Sequence, residues 1–428
     1  MARGEGRPEG TTALEALMGR RLGRECLYTP SCRLALYVAL RHWCRPGGRV
    51  LMSPVNDDVI FFVVLAAGLR PVQAPLDPID GSIDVAAVPE ETWRGLSAVV
   101  TTNLYGNPDP VAALRERCDT AGIPLIEDAA HAIGSRLPDG RAVGTVGDAA
   151  AFSLSKHVGA KTGGFLAFAE PGLRAELTAL RDALLKPAAS ASEALYAVRP
   201  YAEAGVRGLR LVRAAHLALR LLGAEERQEI RMPLRAGELR RAIAAAPGLD
   251  PFESWVRVDM HPYRIAPGGV RLRRTARLLG DLDRRLALHR AGTAALLRSR
   301  WGSGHGEPDA GDTGGTRAQP LFRVPLLVSD RDAAIAALAR RRITVGYLYD
   351  PPLDVYAADG STADDSAAFT DPSPLPRPAA WFARHALPVN PCRADEVLRV
   401  LDGLPITPVR PPAALARDGA AEGSGGGG

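Results

Sequence analysis

Between about Ser31 and Ala169 the chain switches repeatedly between two hydrophobic periods, and this alternation restricts the fold more than any other feature. SCRLALYVALRHWC has the spacing of a helix, with Ser31 placed to cap it behind Pro30, and the PGG that follows turns into the short apolar strand RVLMSP. LSAVVTTNLYG reads as a strand, PVAALRERCDTAG as a helix closed by Gly122, and IPLIEDAA as a further strand. Strands that alternate with helices pair in parallel, because each helix returns the chain across one face of the sheet. The expected class is therefore α/β, with a large, mostly parallel sheet domain. Ligands of such sheets collect at the carboxyl ends of the strands. Asp128 stands at one such end, and SLSKHVGAKTGG, Ser153 to Gly164, joins the strand-like DAAAFSL to GFLAFAE.

Beyond Leu173 the pattern turns helical and rich in arginine as far as about Ala246. Within it, Val206 to Leu222 sets Leu211, Val212, Ala215, Leu219 and Leu222 on one helical face and Arg207, Arg210, Arg213 and Arg220 on the other. The preferred reading is a helix packed on its own protein with a solvated basic face; a membrane surface or an acidic docking partner are the alternatives. From about Trp255 to Leu404 a second α/β portion follows: a long helix over VRLRRTARLLGDLDRRLALHRAGTAALLRSR, the strand LFRVPLLV, the helix RDAAIAALARRR and the closing helix ADEVLRVLDGL. Two polar Gly/Pro/Asp-rich loops, GSGHGEPDAGDTGG and ADGSTADDSAAFTDPSPLPRP, interrupt it. These breaks predict a large domain over 12–250 with the helical insertion at about 173–246, a smaller C-terminal α/β domain over 251–405, and a flexible tail over 406–428.

A net charge of +5 over 428 residues is too mild to suggest a nucleic-acid partner. The longest apolar run, Val59 to Leu69, falls far short of the ~18 residues of a membrane span and reads as a buried helix. No signal peptide is evident at the start. The five cysteines, Cys26, Cys32, Cys44, Cys118 and Cys392, are scattered and odd in number, so neither a disulfide framework nor a metal cage is expected, and a cytoplasmic setting fits best.

The 53 cationic side chains include only three lysines, Lys156, Lys161 and Lys186, which leaves 50 arginines, 53 minus 3. Two of the three lie in SLSKHVGAKTGG. Lysine can lose its proton near neutral pH and attack a carbonyl as an amine to form a Schiff base; arginine cannot. Asp128, as a carboxylate at a buried strand end, needs a cationic partner, and no neighbouring arginine in the sequence supplies one. A protonated pyridine nitrogen would. Pyridoxal 5'-phosphate asks for a lysine, an acid for its ring nitrogen and donors for its phosphate, and Lys156 and Asp128 meet the first two needs.

The surrounding words resemble a known family. LIEDAAHAIGS, GRAVGTVGDAAAFSLSKH, TGG, NLYG and YLYDPPLDVYA look like successive blocks of the DegT/DnrJ/EryC1/StrS family of pyridoxal-phosphate sugar aminotransferases, with the SCRLAL helix and LPVNP extending the match from about Ser31 to Leu404. The resemblance implies the fold-type-I, aspartate-aminotransferase-like architecture, a homodimer with active sites at its interface, and transfer of an amino group, with L-glutamate as donor, to a keto sugar or related polar keto compound. It implies that Asp128 pairs with the ring nitrogen, that His131 lies beside the ring oxygen, that Ser153 contacts the phosphate, and that Lys156, seven residues before Gly163, is the Schiff-base lysine, with Lys161 the runner-up. A dehydratase of the same fold and a non-catalytic scaffold subunit are the alternative readings.

Several positions depart from the family. Where it commonly reads Ser-Gly-Thr, this chain has Ser31-Cys32-Arg33, so phosphate binding falls to the helix N-terminus, with Cys32 and Arg33 as its residues and Arg33 adding charge. No aromatic ring-stacking residue occupies Asn56 to Asp58; Asn56 and the carboxylates of Asp57 and Asp58 are expected where substrate enters. Those charges would repel a diphosphate and suit an amine- or hydroxyl-rich acceptor. The pattern the family contributes from a neighbouring subunit appears as Pro262-Tyr263-Arg264, and Leu348 replaces a histidine beside Tyr349; Arg264 and Tyr349 complete the expected substrate set.

Overall fold

A computed structural model describes residues 9–187, 193–194, 198, 231–257, 263–302, 319–358 and 369–417 of the chain. The expected amphipathic helix over 206–222, Pro262 and the loop GSGHGEPDAGDTGG after its first residue, Gly302, lie outside the described residues.

Seven strands form the main sheet: β1 Glu25–Thr29, β2 Arg49–Met52, β3 Arg70–Gln73, β4 Ala98–Thr101, β5 Leu125–Ala129, β6 Ala149–Ser153 and β7 Gly164–Phe168. Their order is β1-β7-β6-β5-β4-β2-β3. From β3 through β2, β4 and β5 to β6 all pairings are parallel, and β7 alone runs against its two neighbours. Helices of this part include α1 Glu9–Leu22, α2 Cys32–Trp43, α3 Asp58–Ala66, α4 Glu90–Arg94, α5 Val111–Ala121 and α6 Arg174–Leu184.

Alternate strand residues enter two different cores. Val50, Met52, Val100, Ile126 and Ala151 face a cluster with α2 and α3, whereas Leu51, Val99, Leu125, Ala150 and Phe152 face one built with α1 and α5. A strand buried on both faces has no polar side to show, which is why these strands read as continuous apolar runs. The run from Val59 is a buried helix as expected, since every residue of α3 is buried. Ser31 caps α2, its hydroxyl accepting from the Leu34 N–H at 3.2 Å, and Gly122 closes α5 at a φ of 65°.

A second sheet pairs β8, Val324–Leu327, with β9, Ala386–Val389, in antiparallel fashion. Around it pack the helices Arg331–Arg340, Pro376–His385 and Ala394–Leu401. Three expectations need correction here. The single long helix expected from Val270 is two, Gly269–Gly280 and Leu282–Arg298, which meet at Asp281 with φ −86° and ψ 1°. Gly280 and Asp281 are poor helix formers. The break lets Leu272 and Leu279 pack beside Leu14 and Met18 of α1 while Leu296 enters the core around β8 and β9.

The expected loop after Ala358 is not all loop. Asp371 extends the β3 edge, its N–H bonded to the Pro71 carbonyl at 2.9 Å and its carboxylate held by Arg49 and Arg70 at 2.8 and 2.6 Å. Nor does a flexible tail begin at residue 406. Ile406 is buried in the small core, and the Val409 N–H bonds the Leu327 carbonyl at 3.0 Å.

Candidate active site

The N-terminus of α2 meets the strand ends through two glycines. Ser31 and Gly163 form a bridge, with the Gly163 N–H donating to the Pro30 carbonyl at 2.7 Å. Gly163 has φ +101°, and a Cβ on Gly164 would lie 2.6 Å from the Phe152 carbonyl oxygen and 2.7 Å from the Cys32 nitrogen. Only glycine permits this approach. It sets Cys32 beside the end of β5, where its sulfur lies 4.0 Å from Asp128 Oδ1.

Asp128 is buried, and its Oδ1 accepts from the Ala130 N–H at 3.0 Å. Among the described residues it has no ion-pair partner. Burial pushes its carboxyl up to about 7; the Ala130 N–H and the positive charge of Lys156 act the other way, and Asp57 and Asp109 reinforce the rise. Its carbonyl is fixed by the Asn103 side-chain amide at 2.9 Å. Burial of Cys32 next to this carboxylate raises its thiol well above the ordinary range. Ser153, the last residue of β6, is buried with its hydroxyl 2.9 Å from that of Ser155.

Lys156 follows β6 and points its ammonium at an aromatic wall. Its Nζ lies 3.8 Å from the centre of the Tyr347 ring and 5.5 Å from that of Phe322. His131 is stacked between Tyr105 and Phe322, at 6.2 and 5.2 Å, and Tyr105 stacks in turn on Tyr349 at 5.6 Å. Burial holds the His131 imidazole well below its ordinary value, so it is neutral, with the charge on Lys156 acting in the same direction. The Tyr105 hydroxyl donates to the Tyr347 carbonyl at 2.6 Å. Asn103, Tyr105 and Tyr347 have φ of 43°, 56° and 61°, conformations that non-glycine residues adopt only where the surroundings impose them.

The other lysines lie elsewhere. Lys161 is exposed, with φ +64°, and Lys186 pairs with Asp250 at 3.6 Å and Glu253 at 4.0 Å. His157, next to Lys156, is tied by Nε2 to the Pro320 carbonyl at 2.8 Å, and His289 by Nδ1 to that of Leu321 at 2.8 Å. Burial lowers His157 to about 3, so it is a neutral support for the segment that carries Phe322.

Three of the expected site residues are engaged by partners of their own. Arg33 donates to the Val256 carbonyl at 2.6 Å and lies 5.5 Å from the Tyr263 ring centre, so its guanidinium is already engaged. Arg264 is bound by Asp250 and Glu253, and Tyr263, expected to serve a neighbouring subunit, accepts from the Ser31 hydroxyl of its own chain at 3.0 Å. Asp58 is buried in the first turn of α3 and accepts from the Met232 N–H at 2.8 Å. One residue earlier, Asp57 caps α3 through the Val59 N–H at 3.1 Å and lies near enough to Asp128 and Tyr349 to raise both. Asn56 bonds Thr102 at 3.2 Å. Tyr349 is buried against Tyr105. Residues 56–58 supply no ring, and the aromatic surface comes from Tyr105, Phe322 and Tyr347, none of which the sequence reading singled out.

Also missed was Arg231, whose guanidinium donates to the carbonyls of Asn56, Pro351 and Tyr349 at 2.6, 2.9 and 3.2 Å. Its only sequence mark is its place within the arginine-rich stretch.

Taken together, the strand ends and the α2 N-terminus offer an amine, a buried acid and backbone N–H groups within one site. Residues 9–198 match the DegT/DnrJ/EryC1/StrS aminotransferase family. The chain is similar to the dTDP-3-amino-3,4,6-trideoxy-alpha-D-glucose transaminase of Streptomyces venezuelae, 33% identical over 154 residues, which cover 35% of this chain and 40% of the relative. It is also similar to the erythromycin biosynthesis sensory transduction protein EryC1 of Saccharopolyspora erythraea, 33% identical over 139 residues, or 32% of this chain and 38% of the relative. The aligned stretches thus span about two fifths of these relatives' lengths. Among solved structures, the sugar aminotransferase CalS13 from Micromonospora echinospora superposes with a TM-score of 0.61 at 20% identity, over 94% of each chain. The α/β architecture is that of this fold.

Proposed function

We propose that this chain, whose residues 9–198 match the DegT/DnrJ/EryC1/StrS aminotransferase family, is a pyridoxal-phosphate-dependent aminotransferase that moves an amino group from an amino acid to a keto sugar. The observation that carries the reading is a buried Asp128 that has no ion-pair partner among the described residues and lies close enough to feel the charge of Lys156. A carboxyl held near 7 by burial is suited to a protonated ring nitrogen, which would return it to the ionised form.

The residues present fit the cofactor. Asp128 would face the ring nitrogen, His131 the ring edge, and Ser153 with the backbone N–H groups of Cys32 and Arg33 the phosphate. Arg33 serves there through its backbone, because its guanidinium is engaged by Val256. When bound, pyridoxal phosphate supplies an electron sink for the carbon that loses its proton. Lys156 Nζ takes that proton as a base and returns it as an acid. The aromatic wall covers one side of this amine, with the Tyr347 ring centre 3.8 Å from Nζ.

L-Glutamate is the proposed donor, and a homodimer the proposed assembly. Asp57 alone of the two neighbouring carboxylates stays near the site, so only half of the charge argument against a nucleotide-linked acceptor survives.

The test is the donor half-reaction. Supplied with pyridoxal phosphate and L-glutamate, the protein should release 2-oxoglutarate; Lys156→Ala should slow this by roughly a thousandfold, and Lys161→Ala by less than about threefold. Release that depends on Lys161 and not on Lys156 would refute the assignment.

A further inference from the structure

Residues 231 and 232, where the chain re-enters the described structure, are built into the wall of the site. The Met232 N–H donates to Asp58 and the Met232 carbonyl accepts from the Tyr356 hydroxyl at 2.7 Å. Arg231 goes further. Its guanidinium reaches Asn56, before α3, and both Tyr349 and Pro351, in the segment that also carries Tyr347 over Lys156. A planar guanidinium can hold three carbonyls at once, which an ammonium cannot do in the same geometry. Burial works against its charge, and Asp58 and Asp57 lie near enough to favour it.

The segment has other ties. The Tyr105 hydroxyl holds the Tyr347 carbonyl, Arg331 binds Asp350 at 2.7 Å, and the Leu353 N–H bonds the Pro54 carbonyl at 2.8 Å. Arg231 differs from these by bridging two site-facing segments through one side chain. Asp57, adjacent to its Asn56 anchor, faces the acid end of the site, and Tyr347, two residues from its Tyr349 anchor, faces the amine end.

We infer that Arg231 is a positioning residue, which locks the Tyr347–Pro351 segment to the Asn56–Asp57 turn and so sets the opening through which the acceptor reaches Lys156. Naming the acceptor rests on the function proposed above; the locking does not.

Hydrogen–deuterium exchange of the full chain tests the locking directly. In Arg231→Lys, amides in peptides covering 54–58 and 347–353 should exchange at least roughly tenfold faster, the equivalent of losing one charged hydrogen bond, while those of β5 and β6 keep their rates. Tyr105→Phe, which cuts only the Tyr347 tie, should loosen 347–349 and leave 54–58 unchanged. In turnover, Arg231→Lys should raise the acceptor KM about tenfold, with kcat and pyridoxal-phosphate uptake within about threefold of the parent. Unchanged exchange in both segments, or uniform loosening that includes β5 and β6, would overturn the inference. If the parent chain takes up no pyridoxal phosphate, the proposed function fails, and the exchange result still decides the role of Arg231.

Discussion

Asp128 shows how a buried carboxyl loads the fold. In an unfolded chain it titrates near 3.8, and in the fold near 7. Below about pH 4 both states are protonated and nothing is lost. As pH rises from 4 to 7 the unfolded chain releases a proton that the folded chain keeps, so stability falls, reaching a deficit of roughly 4 kcal/mol above pH 7. Asp128→Asn should therefore raise the unfolding midpoint of the cofactor-free protein at pH 8, and the gain should vanish near pH 4. An equal gain at both pH values would contradict this account. The places of Asp128 near the end of β5 and of Lys156 just after β6 were legible in the sequence because strand ends are local properties. The fates of Arg33 and Arg264 were not, since their partners lie at Val256 and at Asp250 and Glu253. Asp57 and Asp58 differ by one residue, and only the exact start of α3 makes one a cap and the other a buried anchor.

At the scale of elements, the site depends on how closely β7 approaches α2. Gly164→Ala places a methyl against three backbone atoms, so one element must move, at a cost of about 1–3 kcal/mol, and pyridoxal-phosphate affinity should fall with it. Gly122→Ala replaces a positive-φ glycine whose Cβ would meet open space, so about 1 kcal/mol should be lost with affinity intact. Thermal unfolding and a cofactor titration separate the two, and parallel losses in both variants would show that the close approach has no special role. The helices and strands around these glycines were readable from period and punctuation. The break at Asp281 was not, because Gly280 sits within an otherwise unbroken apolar pattern, and packing onto two different cores decides where the helix ends.

For the molecule as a whole, the doubly covered sheet followed from the alternation of strands and helices, whereas the wall facing Lys156 did not. Phe322 and Tyr347 are well over a hundred residues away in sequence, and only the folded arrangement of the C-terminal part brings them to the strand ends. Local patterns carry no record of such a meeting. We retain the division near residue 250 as a proposal, with the site walls drawn from both sides of it. The central claim is that these distant parts build one pyridoxal-phosphate site on Lys156. The measurement is visible absorption after incubation with the cofactor, followed by borohydride reduction and peptide mapping. The account predicts a yellow protein with the reduced pyridoxyl group on Lys156 alone. A colourless protein, or label spread over Lys161 and Lys186, would contradict it.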